Sequence, residues 1–467
     1  MPDTGEKGQR LKKIPAMDII LNADWLQSWL EKLGRMRVKR IINKELSQIR
    51  KNILENNFEF EFNPDEFKAS CLSALTFASR PSLRRIVNAT GVVIHTNLGR
   101  SLIADEAIEA MTEAAAHYSN LEYDLKIGAR GQRNSHVEDL LCSLTGAEAA
   151  FVVNNNAGAV LLALSALAKN SEVVMSRGEL VEIGGSFRIP DIMELSGAKL
   201  IETGTTNRTH LSDYEKAVTE KTSMLLKIHP SNFKITGFTA SPERKDLAKL
   251  AHENNLIFME DAGSGLLVSP DVINLPANSN EITIKSCLEH GADIVTFSGD
   301  KILGGPQIGG IVGKKKYIDK IKKYPMARAL RVDKFTLAAF EATLRLYARE
   351  NYDEIPTLRM IRRDHDELKG QAENLAARLS EKIEADIKII ELDDTTGGGS
   401  CPEIELKGYG VSIKHKYGAA HIQKILRNND VPILCGARDD EIILHVRTLK
   451  DNDDEIIISA LERILNA

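Results

Sequence analysis

From residue 91 onward, short apolar runs alternate with longer segments in which apolar residues recur at helical spacing. The runs include "SEVVMS", "AKLIET", "SMLLKI", "LIFMED", "DIVTFSG" and "GGIVGK". Nearly continuous runs of Val, Ile and Leu of this length are typical of strands that helices cover on both faces. The pattern therefore predicts an α/β fold with a mostly parallel central sheet.

Two flanking regions depart from this alternation. Residues 16–57 carry apolar residues at helical spacing on both sides of Gly34, which predicts a small helical module. Toward the C-terminus, a helix-rich segment is followed by strand-like runs such as "EIILHVRTL", which predicts a smaller α+β domain. The expected divisions are a helical N-terminal domain (1–66), a linker (67–90), a catalytic domain (91–335) and a small C-terminal domain (336–467).

The composition is that of an ordinary globular protein with ample core, since 43% of the 467 residues are hydrophobic and 27% are charged. No apolar run approaches the ~20 residues that a membrane span needs, and "MPDTGEKGQR" does not resemble a signal peptide. The cysteines are scattered and form no C-x-x-C pair: Cys71, Cys142, Cys287, Cys401 and Cys435. This spacing argues against a disulfide framework or a zinc site, and it fits a reducing cytoplasm. With the lack of a long apolar run, the expectation is a cytoplasmic protein with no membrane partner and no bound metal.

Charge is distributed unevenly along the chain. The net charge is −5, yet residues 1–50 contain 11 Lys and Arg against 6 Asp and Glu, a net of +5, so the other residues carry −10. A basic N-terminal region predicts an acidic partner at that end of the chain. A solvated helix face explains so modest a charge equally well.

A candidate phosphate site follows the predicted strand "FVV". Three asparagines ending with Asn156 come next, and a helix is predicted to begin at Ala157 and Gly158. Ligands of open parallel sheets bind beyond the carboxyl ends of the strands, and free N–H groups at a helix start suit a phosphate. Turn chemistry alone also explains Asn and Gly at these positions.

Three further polar residues follow predicted strands. Asp261 ends "LIFMED", while Ser298 and Lys301 lie in "TFSGDK", just before a glycine-rich stretch. A phosphate cradle, a carboxylate and a lysine at strand ends together suit pyridoxal 5'-phosphate. Lys301 would form the Schiff base, Asp261 would pair with the protonated ring nitrogen, and Ser298 would reach the phosphate. The glycines after Lys301 would leave room for the cofactor.

At these residues the sequence resembles the fold-type-I pyridoxal-phosphate enzymes. More narrowly, it is similar to the bacterial selenocysteine synthase family, the L-seryl-tRNA(Sec) selenium transferases. The stretches that carry this resemblance include "RRIVNATGVVIHTNLGRS", "NLEYDLKIGARGQR", "VVNNNAGAVLLAL", "SRGELVEIGGSFRIPDIM", "GTTNRTH", "IHPSNFKITGF", "FSGDKILGGPQIGGI" and "RALRVDKFTLAAFEATLRLY". Weaker matches near both ends extend the likeness over nearly the whole chain.

The resemblance implies that seryl-tRNA(Sec) is converted to selenocysteinyl-tRNA(Sec) with selenophosphate, through an aminoacrylate bound to the cofactor. It implies a large homo-oligomer and an N-terminal domain that recognises the tRNA. By the same match, Arg100, Arg133 and Arg328 would bind the anionic selenium donor, although most arginines are simply surface or ion-paired residues. Asp300 resembles a catalytic position, and a turn-forming aspartate is the alternative.

Three interpretations stay open at this stage. His229 follows another strand and is expected to contact the cofactor, yet a lone histidine is more often a polar residue without a chemical role. An aminotransferase or β-lyase acting on a free amino acid would hold its α-carboxylate with an arginine, for which Arg447 is the candidate. A non-enzymatic tRNA-binding protein with a vestigial fold is the third possibility, and the intact Asp261, Ser298 and Lys301 set argues against it. The sequence does not indicate a role for Cys435.

Overall fold

The computed structural model describes residues 4–55, 62–180, 182–183, 187–230, 235, 237–275, 279, 281–398 and 404–466. Cys401 and parts of the stretches "SRGELVEIGGSFRIPDIM" and "IHPSNFKITGF" lie outside the described residues. The chain divides into two compact units, Met1–Arg85 and Ile86–Ala467. No helix in the described part of the chain combines the length and the apolarity that a membrane crossing requires.

The first unit is helical, as its spacing predicts. Its helices are α1 (Thr4–Lys12), α2 (Met17–Leu21), α3 (Asp24–Leu33), α4 (Arg35–Glu55) and α5 (Pro64–Ser79). Gly34 ends α3 with a positive φ of 78°, and the Asn63 side chain caps α5 by accepting from the backbone N–H groups of Asp65 and Glu66. Val38 and Ile42 of α4 pack in one core with Leu75 of α5.

The division at Arg85 differs from the predicted linker at 67–90. Phe67, Cys71 and Leu75 are buried in the core of the first unit, so α5 is part of that unit. The strand Val87–Ala89 belongs instead to a sheet of the second unit. Apolar spacing alone indicates that 67–79 is helical, but it does not indicate which core the helix joins.

Within the described residues, the second unit contains two large sheets and two small two-stranded sheets. Its strands are β1 (Val87–Ala89), β2 (Tyr123–Asp124), β3 (Ala129–Arg130), β4 (Ala149–Val153), β5 (Glu172–Ser176), β6 (Glu182–Ile183), β7 (Phe187–Arg188), β8 (Lys199–Thr203), β9 (Thr222–Ile228), β10 (Ile257–Gly263), β11 (Ile294–Ser298), β12 (Gly309–Gly313), β13 (Asp386–Thr395), β14 (Glu405–Lys414), β15 (Ile433–Arg438) and β16 (Glu441–His445). The central sheet has the order β4-β12-β11-β10-β9-β5-β8. Within it β12 is antiparallel to both β11 and β4, and the other paired strands run parallel. The predicted mostly parallel sheet is confirmed.

Helices cover the central sheet on both faces. The described helices of the second unit are α6 (Asp105–Ala116), α7 (Ser135–Thr145), α8 (Asn156–Leu167), α9 (Ile189–Ser196), α10 (Leu211–Ala217), α11 (Arg244–Glu253), α12 (Ile284–Glu289), α13 (Lys315–Lys323), α14 (Met326–Ala329), α15 (Lys334–Ala348), α16 (Pro356–Arg362), α17 (His365–Ser380), α18 (Ala419–Arg427) and α19 (Asp453–Leu465). The last three, α17, α18 and α19, pack on the smaller sheet instead. Alternate residues of a strand point to opposite faces, so Val152 packs in one core and Val153 in the other.

The C-terminal part of the chain forms a five-stranded sheet of order β1-β15-β16-β14-β13, packed against α17, α18 and α19. The predicted start of this domain at residue 336 differs from the structure. Leu337, Phe340 and Leu358 belong to the core of the central sheet, whereas the core of the small sheet begins along the chain with β1 and resumes at Leu368. The structural division therefore falls between α16 and α17.

Candidate active site

Strand register brings the predicted site residues to one edge of the central sheet. Ser298 at the end of β11 pairs with Gly309 at the start of β12, and Gly309 pairs with Val153 at the end of β4. On the other side, Asp261 of β10 pairs with Thr296 of β11. Because these strand ends are neighbours, the residues that follow them meet although they are distant along the chain.

The start of α8 forms one wall of this edge. The Asn155 side chain caps the helix by accepting a 2.8 Å hydrogen bond from the Gly158 N–H. Asn156 donates from Nδ2 to Asp261 Oδ1 at 2.9 Å, while its own Oδ1 is buried and has no hydrogen-bond partner among the described residues. Buried polar atoms are normally satisfied, so this oxygen is a candidate contact for a ligand at the start of α8.

Asp261 is a buried carboxylate with its donors on one oxygen. Asn156 Nδ2, Thr296 Oγ1 and the Gly263 N–H all donate to Oδ1, at 2.9, 3.1 and 3.2 Å. Burial raises the pKa of Asp261, and these hydrogen bonds together with the charge of Lys301 oppose the rise. The arrangement orients the carboxylate and leaves Oδ2 for a further donor, for which a cation is best suited.

Lys301 lies in a tight turn after β11 that backbone hydrogen bonds fix on two sides. Its carbonyl accepts from Ser101 Oγ at 2.6 Å and from the Gly304 N–H at 3.0 Å. The Ile302 N–H donates to the Ser264 carbonyl at 3.1 Å, which ties the turn to the end of β10. Burial lowers the pKa of the Lys301 ammonium, and the charge of Asp261 opposes this shift. A larger share of neutral amine makes Lys301 a better nucleophile.

Asp300 and Arg100 form an ion pair next to Lys301. Arg100 Nη1 lies 2.7 Å from Asp300 Oδ2, and the Ser101 N–H donates to the Asp300 carbonyl at 3.3 Å. Arg100 has a positive φ of 64°, a conformation that a non-glycine residue adopts at a cost. The segment before Ser101 is therefore held against the lysine turn, and the charge of Arg100 contributes to the lowered pKa of Lys301.

His229 lies at the same edge, in contact with a second buried carboxylate. The backbone N–H of His229 donates to the Asp261 carbonyl at 2.9 Å, and the ring Nε2 lies 3.5 Å from Glu281 Oε2. Ser264 Oγ donates to the same Glu281 oxygen at 2.8 Å. The structure thus brings His229, Asp261 and Lys301 together at the edge, as predicted, and adds Glu281, which no local sequence signal indicates.

The glycines that follow Lys301 are required by the packing of the chain itself. A Cβ on Gly309 would overlap with the Asn155 backbone, and a Cβ on Gly310 would overlap with the Phe297 ring. The expectation that these glycines leave room for a cofactor therefore needs correction. At Gly309 and Gly310 the absence of a side chain lets β12 fit between its two neighbouring strands.

Two of the three predicted donor-binding arginines share a cavity of about 490 Å³. We call it the cationic pocket, and its basic lining residues are Arg130, Arg133, Lys322, Lys323, Arg328 and Arg331. The cavity also contains the carboxylate of Glu122, which pairs with Arg133 at 3.0 Å and with Arg331 at 3.2 Å. Arg100 does not line this cavity within the described residues, because its guanidinium pairs with Asp300 instead.

Comparison with known proteins assigns the chain to a family. The family model described as "L-seryl-tRNA selenium transferase" matches residues 86–450, and the one described as "Selenocysteine synthase N terminal" matches residues 11–50. A Clostridium botulinum (strain Loch Maree / Type A3) protein named L-seryl-tRNA(Sec) selenium transferase is 46% identical over 464 residues, 98% of this chain and 100% of that protein. The chain belongs to the L-seryl-tRNA selenium transferase family. The resemblance inferred from the sequence is confirmed.

A second relative agrees with this assignment, and a solved structure shares the fold. The Clostridium perfringens (strain 13 / Type A) L-seryl-tRNA(Sec) selenium transferase is 47% identical and covers 97% of this chain, with 98% of its own length matched. The solved structure of D-glucosaminate-6-phosphate ammonia-lyase superposes with a TM-score of 0.56 at 21% identity, over 82% of this chain and 96% of that one. That likeness shows the fold, and the predicted fold-type-I class is confirmed.

The sequence did not indicate Arg331 and Glu122 as residues of the pocket in this selenium transferase family member, nor Arg130, Lys322 and Lys323. Arg331 lies three residues after Arg328 in "RALRVDK", a spacing that would have made it a candidate for the same ligand. Glu122 lies in "NLEYDLKIGARGQR", which also contains Arg133, but nothing local indicates that the two side chains pair. The contact between Glu122 and Arg331 joins segments that only the fold brings together.

Proposed function

We propose that the protein converts seryl-tRNA(Sec) to selenocysteinyl-tRNA(Sec), with pyridoxal 5'-phosphate as cofactor and selenophosphate as selenium donor. Family membership over nearly the whole chain supports the reaction. The single structural observation that carries the proposal is the buried edge where Asn156, Asp261 and Lys301 converge. A cytoplasmic location follows from a tRNA substrate.

The described residues at this edge fit pyridoxal phosphate. Lys301 supplies a buried amine with a lowered pKa, and Asp261 keeps Oδ2 available for the protonated ring nitrogen. The unpartnered Oδ1 of Asn156, the start of α8 at Ala157 and Gly158, and Ser298 would complete the site. When bound, pyridoxal phosphate withdraws electrons from the substrate α-carbon, which eases loss of the serine Cα proton and of the β-hydroxyl.

The protein residues position the substrate and move its protons. The Lys301 amine, once free, takes the serine Cα proton, and burial favours its neutral form by lowering the pKa of the ammonium. Asp300 is fixed by Arg100 and holds its carboxylate near the lysine turn, where it assists proton movement toward the leaving hydroxyl. His229, which lies next to Glu281, would contact the cofactor from the neighbouring strand end.

The cationic pocket would take the selenium donor. Arg133 and Arg331 offer guanidinium groups that can bind a phosphate through charge-assisted hydrogen bonds, and Arg328 adds a third. Arg133 is itself anchored, because its Nη1 donates to the Val332 carbonyl at 2.5 Å. Arg100 is proposed to act through its pair with Asp300, on the Lys301 side of the site.

The first unit would recognise the tRNA. Residues 1–85 contain 16 Lys and Arg against 11 Asp and Glu, a net of +5. On α4 the basic residues Arg35, Lys39 and Arg40 are exposed, on turns whose buried side is formed by Val38 and Ile42. Such a basic helix face suits an RNA backbone.

We also propose a homo-oligomer. Tyr118 and the hairpin residues Leu125 and Ile127 expose large apolar side chains. Leu125 and Ile127 share the short loop between β2 and β3, and exposed apolar residues grouped in this way are candidates for an interaction surface. Sedimentation of the purified protein at several concentrations tests this proposal, and a monomer at every concentration would contradict it.

The alternative activity on a free amino acid has no support from Arg447. That arginine is buried, and its Nε donates to Asp394 Oδ2 at 2.8 Å, while its other nitrogens donate to the carbonyls of Met360, Ile361 and Lys407. A guanidinium so engaged holds the small sheet against α16 and is not available to a substrate carboxylate. Arg447 is therefore a structural residue.

Incubation with seryl-tRNA(Sec) and selenophosphate tests the proposed function directly. The aminoacyl group is released by mild hydrolysis and analysed by mass spectrometry, and selenocysteine is expected. A matched incubation with uncharged tRNA and free serine should give none. If the seryl group stayed intact while free amino acids were converted, the activity would be that of the alternative class.

A further inference from the structure

The carboxylate of Glu122 occupies the centre of the charges in the cationic pocket. Its Oε1 lies 3.0 Å from Arg133 Nη2 and 3.2 Å from Arg331 Nη1, and its Oε2 lies 3.4 Å from Arg130 Nη2. Three guanidiniums thus converge on one carboxylate. This is the geometry with which arginines usually hold a phosphate.

Glu122 is held in this position from its backbone. Its carbonyl accepts from the Gly131 N–H at 3.0 Å, at the base of the hairpin formed by β2 and β3. The side chain is 26% exposed, so its carboxylate reaches the solvent in the cavity. Although partial burial alone would raise the pKa of Glu122, the hydrogen bond from Arg133 and the nearby arginine charges lower it. The group is therefore a carboxylate at neutral pH.

We propose that Glu122 is a built-in competitor of the anionic ligand in the cationic pocket. It keeps the guanidiniums in place while the pocket is empty, and it limits the affinity of the pocket for phosphate. This inference rests on the proposed donor site. A donor that gives up its selenium leaves phosphate behind, and a carboxylate that returns to the arginines favours release of that phosphate.

The effect of Glu122 should grow with the charge of the ligand. A bound phosphate must displace the carboxylate from Arg133 and Arg331 and then stay close to it. Like charges in a partly enclosed site repel in proportion to their product. An inorganic phosphate dianion should therefore be disfavoured more strongly than a phosphodiester, which carries a single charge.

Phosphate binding to the Glu122→Gln variant tests the proposal. Full-length protein is first loaded with pyridoxal phosphate, so that the cofactor's own phosphate site is filled. It is then titrated calorimetrically with inorganic phosphate at low ionic strength. Because Gln keeps the size of the side chain and removes its charge, affinity should rise by about tenfold. Dimethyl phosphate, which represents an RNA backbone phosphate, should gain clearly less. If Glu122→Gln raised the affinity for dimethyl phosphate as much as that for inorganic phosphate, Glu122 would not act as a competitor of free phosphate.

Two matched variants separate the possible outcomes. Glu202→Gln removes an exposed carboxylate that pairs with Arg177 at 3.0 Å outside the pocket, and it should leave phosphate affinity unchanged. Arg331→Ala should weaken phosphate binding in both the wild-type and the Glu122→Gln background. Binding that depends on Arg331 but is equal or weaker in Glu122→Gln would overturn the competitor role and leave the donor site standing. If phosphate binding did not depend on Arg331 in either background, both the competitor role of Glu122 and the proposed donor site would be overturned.

Discussion

At the scale of single residues, burial moves the two central titratable groups toward their neutral forms. It raises the pKa of Asp261 and lowers the pKa of Lys301, and each group opposes the shift of the other through its charge. Perturbed groups that converge in a site are typical of catalysis. A cofactor that offers an aldehyde to Lys301 and a cationic nitrogen to Asp261 would relieve both desolvation costs at once.

The reaction of Lys301 with the cofactor should show this shift in its pH dependence. With cofactor-free protein, the rate of binding pyridoxal phosphate should rise with pH, reach half of its maximum at the pKa of Lys301 and level off above that pH. Because burial disfavours the ammonium, this midpoint should lie below the ordinary value of 10.5. Stopped-flow absorbance measures the rate. A rate that still climbs steeply through pH 10.5 would contradict the prediction.

Replacing Lys301 with Ala should remove the covalent link to the cofactor and leave the fold intact, because the turn is held by backbone hydrogen bonds of Lys301 and Gly304. Borohydride treatment followed by peptide mass analysis should find the cofactor on the Lys301 peptide of the wild type only. The exposed Lys245→Ala variant is the control and should behave as wild type. Cofactor attached elsewhere in the wild type would refute the assignment.

Replacing Asp261 with Asn should slow loss of the serine Cα proton far more than it weakens cofactor binding. Asn keeps an oxygen for the donors Asn156 and Thr296 but loses the charge that a ring nitrogen needs. A loss of about 10²- to 10³-fold is expected, as for removal of one preorganised electrostatic group. Exchange of the Cα proton with solvent measures it. Thr296→Val keeps the charge, so its effect should be much smaller; equal effects would exclude an electrostatic role for Asp261.

At the scale of elements, β12 is fitted between β11 and β4 by its glycines, and Gly310→Ala tests this fit. The added methyl group would overlap with the Phe297 ring, so the variant should lose about 1–3 kcal/mol of stability or more. Urea denaturation measures the loss. Phe297→Leu in the same chain should recover part of it, since contacting residues are coupled. A Gly310→Ala protein as stable as wild type would contradict this packing.

Gly370→Ala is the matched control for that experiment. Gly370 lies within α17, and a Cβ there would meet nothing within 4 Å. A glycine inside a helix costs about 0.5–1 kcal/mol relative to alanine. This variant should therefore be as stable as the wild type or slightly more stable.

The strands and their ends could be predicted from the sequence, but their directions and long-range contacts could not. Apolar runs revealed the strands, and the rule that parallel strands present their carboxyl ends together placed Asp261 and Lys301 in one site. An apolar run carries no direction, so the antiparallel course of β12 was not predictable. Nor was the pair of Glu122 with Arg331, since an ion pair between distant segments leaves no periodic pattern. Cys435, for which the sequence indicated no role, is a strand residue of β15, and burial raises the pKa of its thiol to about 11, which disfavours the nucleophilic thiolate at neutral pH.

At the scale of the whole molecule, the chain separates charge as well as structure. The first unit carries +5 and the second −10, and each has a hydrophobic core of its own. A truncation that removes the first unit should therefore end at Arg85, the structural limit, and not at the predicted limit of residue 66. A cut at 66 would leave most of α5 on the catalytic part and expose Phe67, Cys71 and Leu75.

Removal of residues 1–85 should leave a folded protein that binds cofactor but no longer prefers tRNA(Sec). The slope of log affinity against log salt concentration should become less steep by about 0.7–0.9 for each tRNA phosphate that the shortened protein no longer neutralises. Filter binding of tRNA(Sec) and of another tRNA at two salt concentrations measures both effects.

A full-length variant with Arg35→Ala, Lys39→Ala and Arg40→Ala should reproduce much of the loss of tRNA binding and keep the fold, because these side chains are exposed. Since side chains cannot read the deep, narrow major groove of A-form RNA, we expect selectivity along the helical arms to depend on tRNA shape. Selective binding of tRNA(Sec) that survives the deletion unchanged would show that the second unit reads the tRNA.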